Sequence, residues 1–210
     1  MKLTPKHDKW VNLLLVAGTE SCDTDSWPMV QELQFRHYRS VLDPEFGAVA
    51  AAILFGRHCG SVVEFEGVRL GIDAARAVRA IVPNVEELLP IDGGKREIGQ
   101  GVATLIVGEA ARLLDGNGKT GRVGKSARAV TWSGDFVGRH RDSRRYVGGD
   151  VFTNAALIAG STEVSAALAL LIGGRGLRDI YVPPPTKAEA RDFDRIAAGL
   201  EFLSVKLRRL

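Results

Sequence analysis

Two stretches of this chain concentrate side chains that do chemistry. The first is Gly18-Thr19-Glu20-Ser21-Cys22-Asp23-Thr24-Asp25-Ser26. Its hydroxyls, Thr19, Ser21 and Thr24, and its loop amides suit a phosphate. Its carboxylates, Asp23 and Asp25, suit a divalent metal such as magnesium, which takes oxygen ligands. The second runs from Ser133 to Tyr146 and holds four arginines, one histidine and two aspartates in fourteen residues. The guanidinium forks of Arg139, Arg144 and Arg145 match phosphate oxygens in pairs. His140 or Asp135 could carry a proton there, His140 because imidazole titrates near neutral pH. Together these residues predict a site for an anionic, nucleotide-like small molecule, with hydrolysis or group transfer as its chemistry. Each stretch also has a plain reading, as an exposed turn satisfying its own backbone or as a loop of weak surface Arg–Asp pairs.

The first stretch resembles the hydroxyl-rich phosphate loop of the flavodoxins through Thr19, Ser21 and Thr24, with Cys22 where that loop has glycine. The likeness covers six residues. The next strand is expected some forty residues later, which is too late for that fold, so no flavin is implied. Gly173-Gly174-Arg175 followed by Ile180-Tyr181-Val182-Pro183 resembles a short signature of the Mor family of phage transcription activators. That family continues into a helix-turn-helix, whereas one further helix is expected here.

Other motifs fail on spacing. Gly118-Lys119-Thr120 and Gly124-Lys125-Ser126 lack the glycine that a P-loop carries five residues earlier, and they follow a helix pattern. His140-Arg141-Asp142 is followed by Val147 where a kinase has its metal-binding Asn. His58-Cys59 has no second pair to complete a zinc site and reads as a packed helix end.

Elements must position these residues. Residues 11–17 read as a buried strand because they are almost continuously apolar. Pro28 is expected to open a helix through about Val41. Asp43-Pro44-Glu45 combines a cap, a first-position proline and an acid at the positive helix end. The helix it starts, Phe46 to Phe55, is apolar all round and should be central. Val62 to Leu70 reads as a hairpin turning at Glu66-Gly67, with Val63, Phe65, Val68 and Leu70 on one face. Asp73 should cap a helix that stops before Pro83. Asn84 to Gly101 reads as irregular, and Val102 to Leu114 as a helix. Ala127 to Trp132 and Asp179 to Val182 read as core strands, with a helix from Ser161 and Thr162 to Gly173-Gly174 between them. Thr186 and Glu189 form a capping box for a last helix, whose Phe193, Ile196, Leu200, Leu203 and Leu207 share a face. No internal repeat is visible.

The fold class expected is α/β: a single domain over residues 1–210 with a small mixed or mainly parallel sheet flanked by helices. In such sheets ligands bind beyond the carboxyl ends of strands. The two chemical stretches should therefore face each other across that edge.

Composition narrows the function classes. The 210 residues are 45% hydrophobic and 25% charged, which excludes a disordered or fibrous chain. No apolar run approaches the ~20 residues of a membrane span. Two cysteines in 210 residues point to a reducing, cytoplasmic setting rather than a disulfide framework. A net charge of +3 admits anionic small molecules and nucleic acid without requiring either. The alternative reading is a nucleic-acid-binding protein without catalysis, contacting phosphates through the arginine-rich stretch, Lys119 to Arg128 and Lys206 to Arg209. A third is a homo-oligomer assembled through the last helix.

Overall fold

The computed structural model describes the chain except for residues 9–12, 21–24, 37–41, 93, 95–100, 109–126, 131 and 134–150. The described residues form an α/β fold with two sheets. The larger has seven strands: β1 (Lys2–Asp8), β2 (Leu13–Glu20), β3 (Glu32–Arg36), β4 (Val62–Phe65), β5 (Glu87–Leu89), β8 (Trp132–Ser133) and β9 (Val151–Thr153). Their order is β5-β4-β1-β2-β3-β9-β8. β1, β4 and β5 are mutually parallel, and β2 is antiparallel to both β1 and β3. The smaller sheet, ordered β11-β10-β6-β7, is parallel throughout. It contains β6 (Ala103–Val107), β7 (Ala127–Val130), β10 (Leu177–Val182) and β11 (Lys206–Arg209).

Four helices fill the space between the sheets: α1 (Pro44–Phe55), α2 (Ile72–Ile81), α3 (Ser161–Gly173) and α4 (Ala190–Glu201). α1 packs on β1 and β2, α3 on β6 and β10, and α4 on β11. α1 then packs against α3, and α2 against α4. This explains why α1 and α3 lack a polar face. Each has a sheet on one side and a helix on the other, and Glu45 to Phe55 and Thr162 to Leu171 are buried throughout. Asp43 caps α1 through the Glu45 and Phe46 amides, with Pro44 behind it, as the sequence predicts. The stripe on α4 faces the core, where Phe193, Ile196, Leu200 and Leu203 are buried.

Several expectations are corrected. The strand expected at residues 11–17 is present as β2, Leu13–Glu20, the antiparallel middle of a meander. β1 on one side of it carries two lysines and an aspartate together with Pro5. Pro5 is tolerated because β4 pairs only with Lys2 and Leu3, so a missing N–H at position 5 interrupts no second ladder. Residues 32–36, expected in a helix, form β3, where Leu33 and Phe35 are buried on one face. Val62–Phe65 makes no hairpin. β4 pairs in parallel with β1 and β5, and the chain turns at Glu66-Gly67 into a further pairing of Leu70 with Ile91. Val63, Phe65, Val68 and Leu70 are buried as expected. Ala103–Val107, expected at the start of a helix, is the centre of the parallel sheet. Gly71 rather than Asp73 is the cap residue of α2. Leu207 lies on β11 because Ser204, at φ 57°, ends the preceding turn in a left-handed conformation.

The sequence shows no repeat, but the order of elements recurs. β1-α1-β4-α2-β5 and β6-α3-β10-α4-β11 follow the same path, and each lays its three parallel strands in the order last, middle, first.

Candidate functional site

β6 lies between β10 and β7, so the chain leaves it toward one neighbour and returns beside the other. The carboxyl edge at such a reversal is where open parallel sheets leave a crevice. Three things meet there: the end of β6, the first turns of α3 and the segment after β10.

At the end of β6, Gly108 turns the chain with φ 76° and donates its N–H to the Val130 carbonyl at 3.0 Å. A Cβ on Gly108 would lie 2.9 Å from the Ser165 Oγ and 3.2 Å from the Trp132 Nε1. Only glycine allows that approach together with that φ. The Trp132 indole N–H donates to the buried Ser165 hydroxyl at 3.0 Å.

The first turn of α3 is a charge cluster. Glu163 is 1% exposed and turns back to accept the Gly160 N–H at 2.7 Å. The same oxygen accepts from Arg57 Nη2 at 2.5 Å. Its other oxygen lies 3.6 Å from Arg195 and has no hydrogen bond among the described residues. Asp192 closes the group, 2.8 Å from Arg195 and 3.7 Å from Arg57. Arg195 also donates to the Ile81 carbonyl. A buried carboxylate requires such pairing, because water no longer stabilises its charge. The Glu163 hydrogen bond in turn raises the Arg57 pKa, against the opposing effect of burial.

Glu189 holds the same helix end from the loop after β10. Its carboxylate accepts from the Thr186 N–H at 3.1 Å and the Thr186 hydroxyl at 2.9 Å, and Thr186 Oγ1 accepts from the Glu189 N–H at 3.3 Å. These are the predicted reciprocal bonds, but they close the turn ahead of α4, whose cap residue is Glu189 itself. Burial pushes the Glu189 pKa up, but the Thr186 bonds and the Thr162 and Ser161 amides outweigh it and hold the group below the usual range. The positive end of α3 therefore faces the chain's own carboxylate.

Of the first predicted stretch, Gly18 and Thr19 belong to β2. Asp25 and Ser26 are described beyond it. The Asp25 side chain is fully buried, accepts the Gly60 N–H at 2.5 Å and lies 2.9 Å from the Met1 ammonium. Ser26 donates its N–H to the His58 carbonyl at 2.9 Å, and its Oγ lies 3.1 Å from His58 Nδ1. Burial lowers the His58 pKa, and the Arg57 charge adds to this, so the ring is neutral near pH 7.

Asp25 and Ser26 thus tie the first stretch to the turn that carries Arg57, and Arg57 reaches Glu163. Trp132, one residue before the arginine-rich stretch, is tied to Ser165 on the second turn of α3. Arg57 and Trp132 thus connect the surroundings of both stretches to one end of one helix. Ser21, Asp23, Thr24, Asp135, Arg139, His140, Arg144 and Arg145 lie outside the described residues. Among the described residues no group of three or more His, Cys, Asp or Glu side chains could hold a metal ion.

No protein-family model, curated protein or solved structure matches this chain.

Sequence reasoning missed Arg57, Glu163, Asp192 and Arg195. Their types are ordinary in the sequence, and only the packing of α1 and α4 on α3 brings them together. Of the expected basic surface, Arg208 is held by Asp179 at 2.7 Å, and Arg209 lies 3.4 Å from Asp194 with its guanidinium over the Phe193 ring. No helix among the described residues is long and apolar enough to cross a membrane.

Proposed function

We propose that this protein binds a phosphate-bearing, nucleotide-like small molecule at the carboxyl edge of the four-stranded sheet and acts on it as a hydrolase or transferase. The observation that supports this is that Arg57, in the turn bound by Asp25 and Ser26, and Trp132, next to the arginine-rich stretch, both contact the first two turns of α3. In this reading Arg139, Arg144 and Arg145 bind the phosphate and neutralise charge that develops during transfer. Ser21 and Thr24 add hydroxyl donors, with Thr19 at the strand end. Asp23 binds a divalent metal such as magnesium, while Asp25 fixes the segment through Gly60. His140 or Asp135 moves the proton.

The test is thermal melting of the full chain with nucleoside mono-, di- and triphosphates, with and without magnesium. A ligand at a hundred times its Kd should stabilise by about 2.7 kcal/mol, a rise in Tm of about 5–10 °C for a chain of this size. Calorimetric titration of Arg144→Ala and Asp23→Ala should then show binding weakened tenfold or more. Unchanged affinity in both variants, or no shift with any nucleotide, rejects the reading.

A further inference from the structure

The shared path of the two halves extends to side chains. Glu45 lies in the first turn of α1, and Arg57 follows twelve residues later, just past a glycine at the helix end. Glu163 lies in the first turn of α3, and Arg175 again follows twelve residues later, just past a glycine. The charges then cross. Arg57 pairs with Glu163 at 2.5 Å, and Arg175 pairs with Glu45 at 3.0 Å. α1 and α3 therefore lie antiparallel, each glutamate held by the arginine at the far end of the other helix. The next helix of each half repeats an i,i+3 pair, Asp73 with Arg76 in α2 and Asp192 with Arg195 in α4.

Strand pairing follows the same order, with one residue fewer between arginine and strand in the second half: aligning Val62 with Asp179 sets Val62↔Glu87 beside Asp179↔Lys206. The same alignment puts Phe65 on Val182, and Val63, Phe65, Ile180 and Val182 are all buried.

Close packing occurs in both halves. A Cβ on Gly47 of α1 would lie 3.3 Å from the Pro5 Cβ of β1 and 2.8 Å from Leu42, and one on Gly108, just past β6, would lie 2.9 Å from the Ser165 Oγ of α3.

We infer that the chain is two copies of one β-α-β-α-β unit, fused, whose α1/α2 and α3/α4 faces form a self-complementary interface in which each copy's glutamate is bound by the other copy's arginine. An interface related by a two-fold axis pairs residue i with j and j with i, and that is the pattern of Glu45, Arg57, Glu163 and Arg175. The partner that fits either face is a second copy of the unit. The copies differ at the first strand. β1 continues into an antiparallel hairpin, whereas β6 gains the parallel neighbour β7, so the crevice described above belongs to the second copy alone.

The inference is tested in the full chain by grafting. Residues 162–175 replace residues 44–57 with Gly47 kept, so that Glu and Arg fall on their equivalent positions. A control graft takes residues 161–174 and shifts the register by one. The in-register chain should melt cooperatively within about 10 °C of the wild type, and the shifted chain should lose its cooperative transition. Equal behaviour of the two grafts overturns the inference.

Charge exchange covers the case in which neither graft folds. Arg57→Glu and Arg175→Glu should each lower Tm by about 10 °C, as breaking a buried pair does. Glu163→Arg should restore only the first variant and Glu45→Arg only the second, with coupling of similar size. Rescue within a half, or coupling confined to one pair, also overturns it.

Discussion

Two residues at the α3 end carry sharp consequences. His58 is half-buried beside Arg57, and its pKa is lowered. The unfolded chain therefore binds this proton more readily than the folded one below the ordinary value of about 6.5. Stability attributable to His58 is intact above that value and falls as the pH drops through it. His58→Gln removes the titration, so melting curves from pH 7.5 to 5.5 should show the variant gaining on the wild type as acidity rises. A gap that does not change with pH contradicts this. Gly108 is the second case. Alanine there meets both a left-handed φ and the Ser165 hydroxyl. Gly108→Ala should cost about 2 kcal/mol, a loss in Tm of about 4–8 °C. It should also change the Trp132 emission, because the indole would be displaced from Ser165.

At the level of elements, α2 meets α4 through Gly199. A Cβ there would lie 2.5 Å from Ile81 Cγ1 and 3.0 Å from the Ala77 carbonyl oxygen. Gly199→Ala should destabilise the chain, and Ile81→Ala should cost about 2–5 kcal/mol as a cavity. The double variant should lose less than the sum, since the new methyl enters the space the isoleucine leaves. Additive losses measured by denaturant unfolding would show that the crossing does not set the helix spacing. The elements that were legible in the sequence are those whose ends carry local chemistry: Asp43-Pro44 for α1, Thr186 with Glu189 ahead of α4, and the glycines after α3. β3 was illegible because Pro28 and mixed polarity imitate a helix start, while its strand character comes from neighbours on both sides. The apolar run of β6 merged with the helical pattern after it, so one element was expected where the strand ends at Val107. Of the site, the capping box was legible from spacing. Arg57 and Glu163 were not, because their contact spans 106 positions in the chain.

The whole molecule is organised around two sheets with their helices turned inward. The larger sheet draws on both halves: β8 and β9 follow β6 and β7 in the chain yet extend the sheet of β1. The two halves are therefore joined by strands at one side as well as by helices in the middle. The duplication escaped sequence reading because the copies share charge positions and burial rather than residue runs. Polar and apolar content at matched sites is kept, and identity is not required for that.

The crossed arginines bear on how the fold comes apart. If either half opened by itself, Glu45 would lose Arg175 and Glu163 would lose Arg57, keeping only the Arg195 contact at 3.6 Å, and breaking a buried pair costs several kcal/mol. Partial opening is thereby made more expensive than full opening. Native-state amide exchange should accordingly show the interior amides of α1 and α3 sharing one slowest class, with the same denaturant dependence. Arg57→Gln should divide that class in two, one for each half.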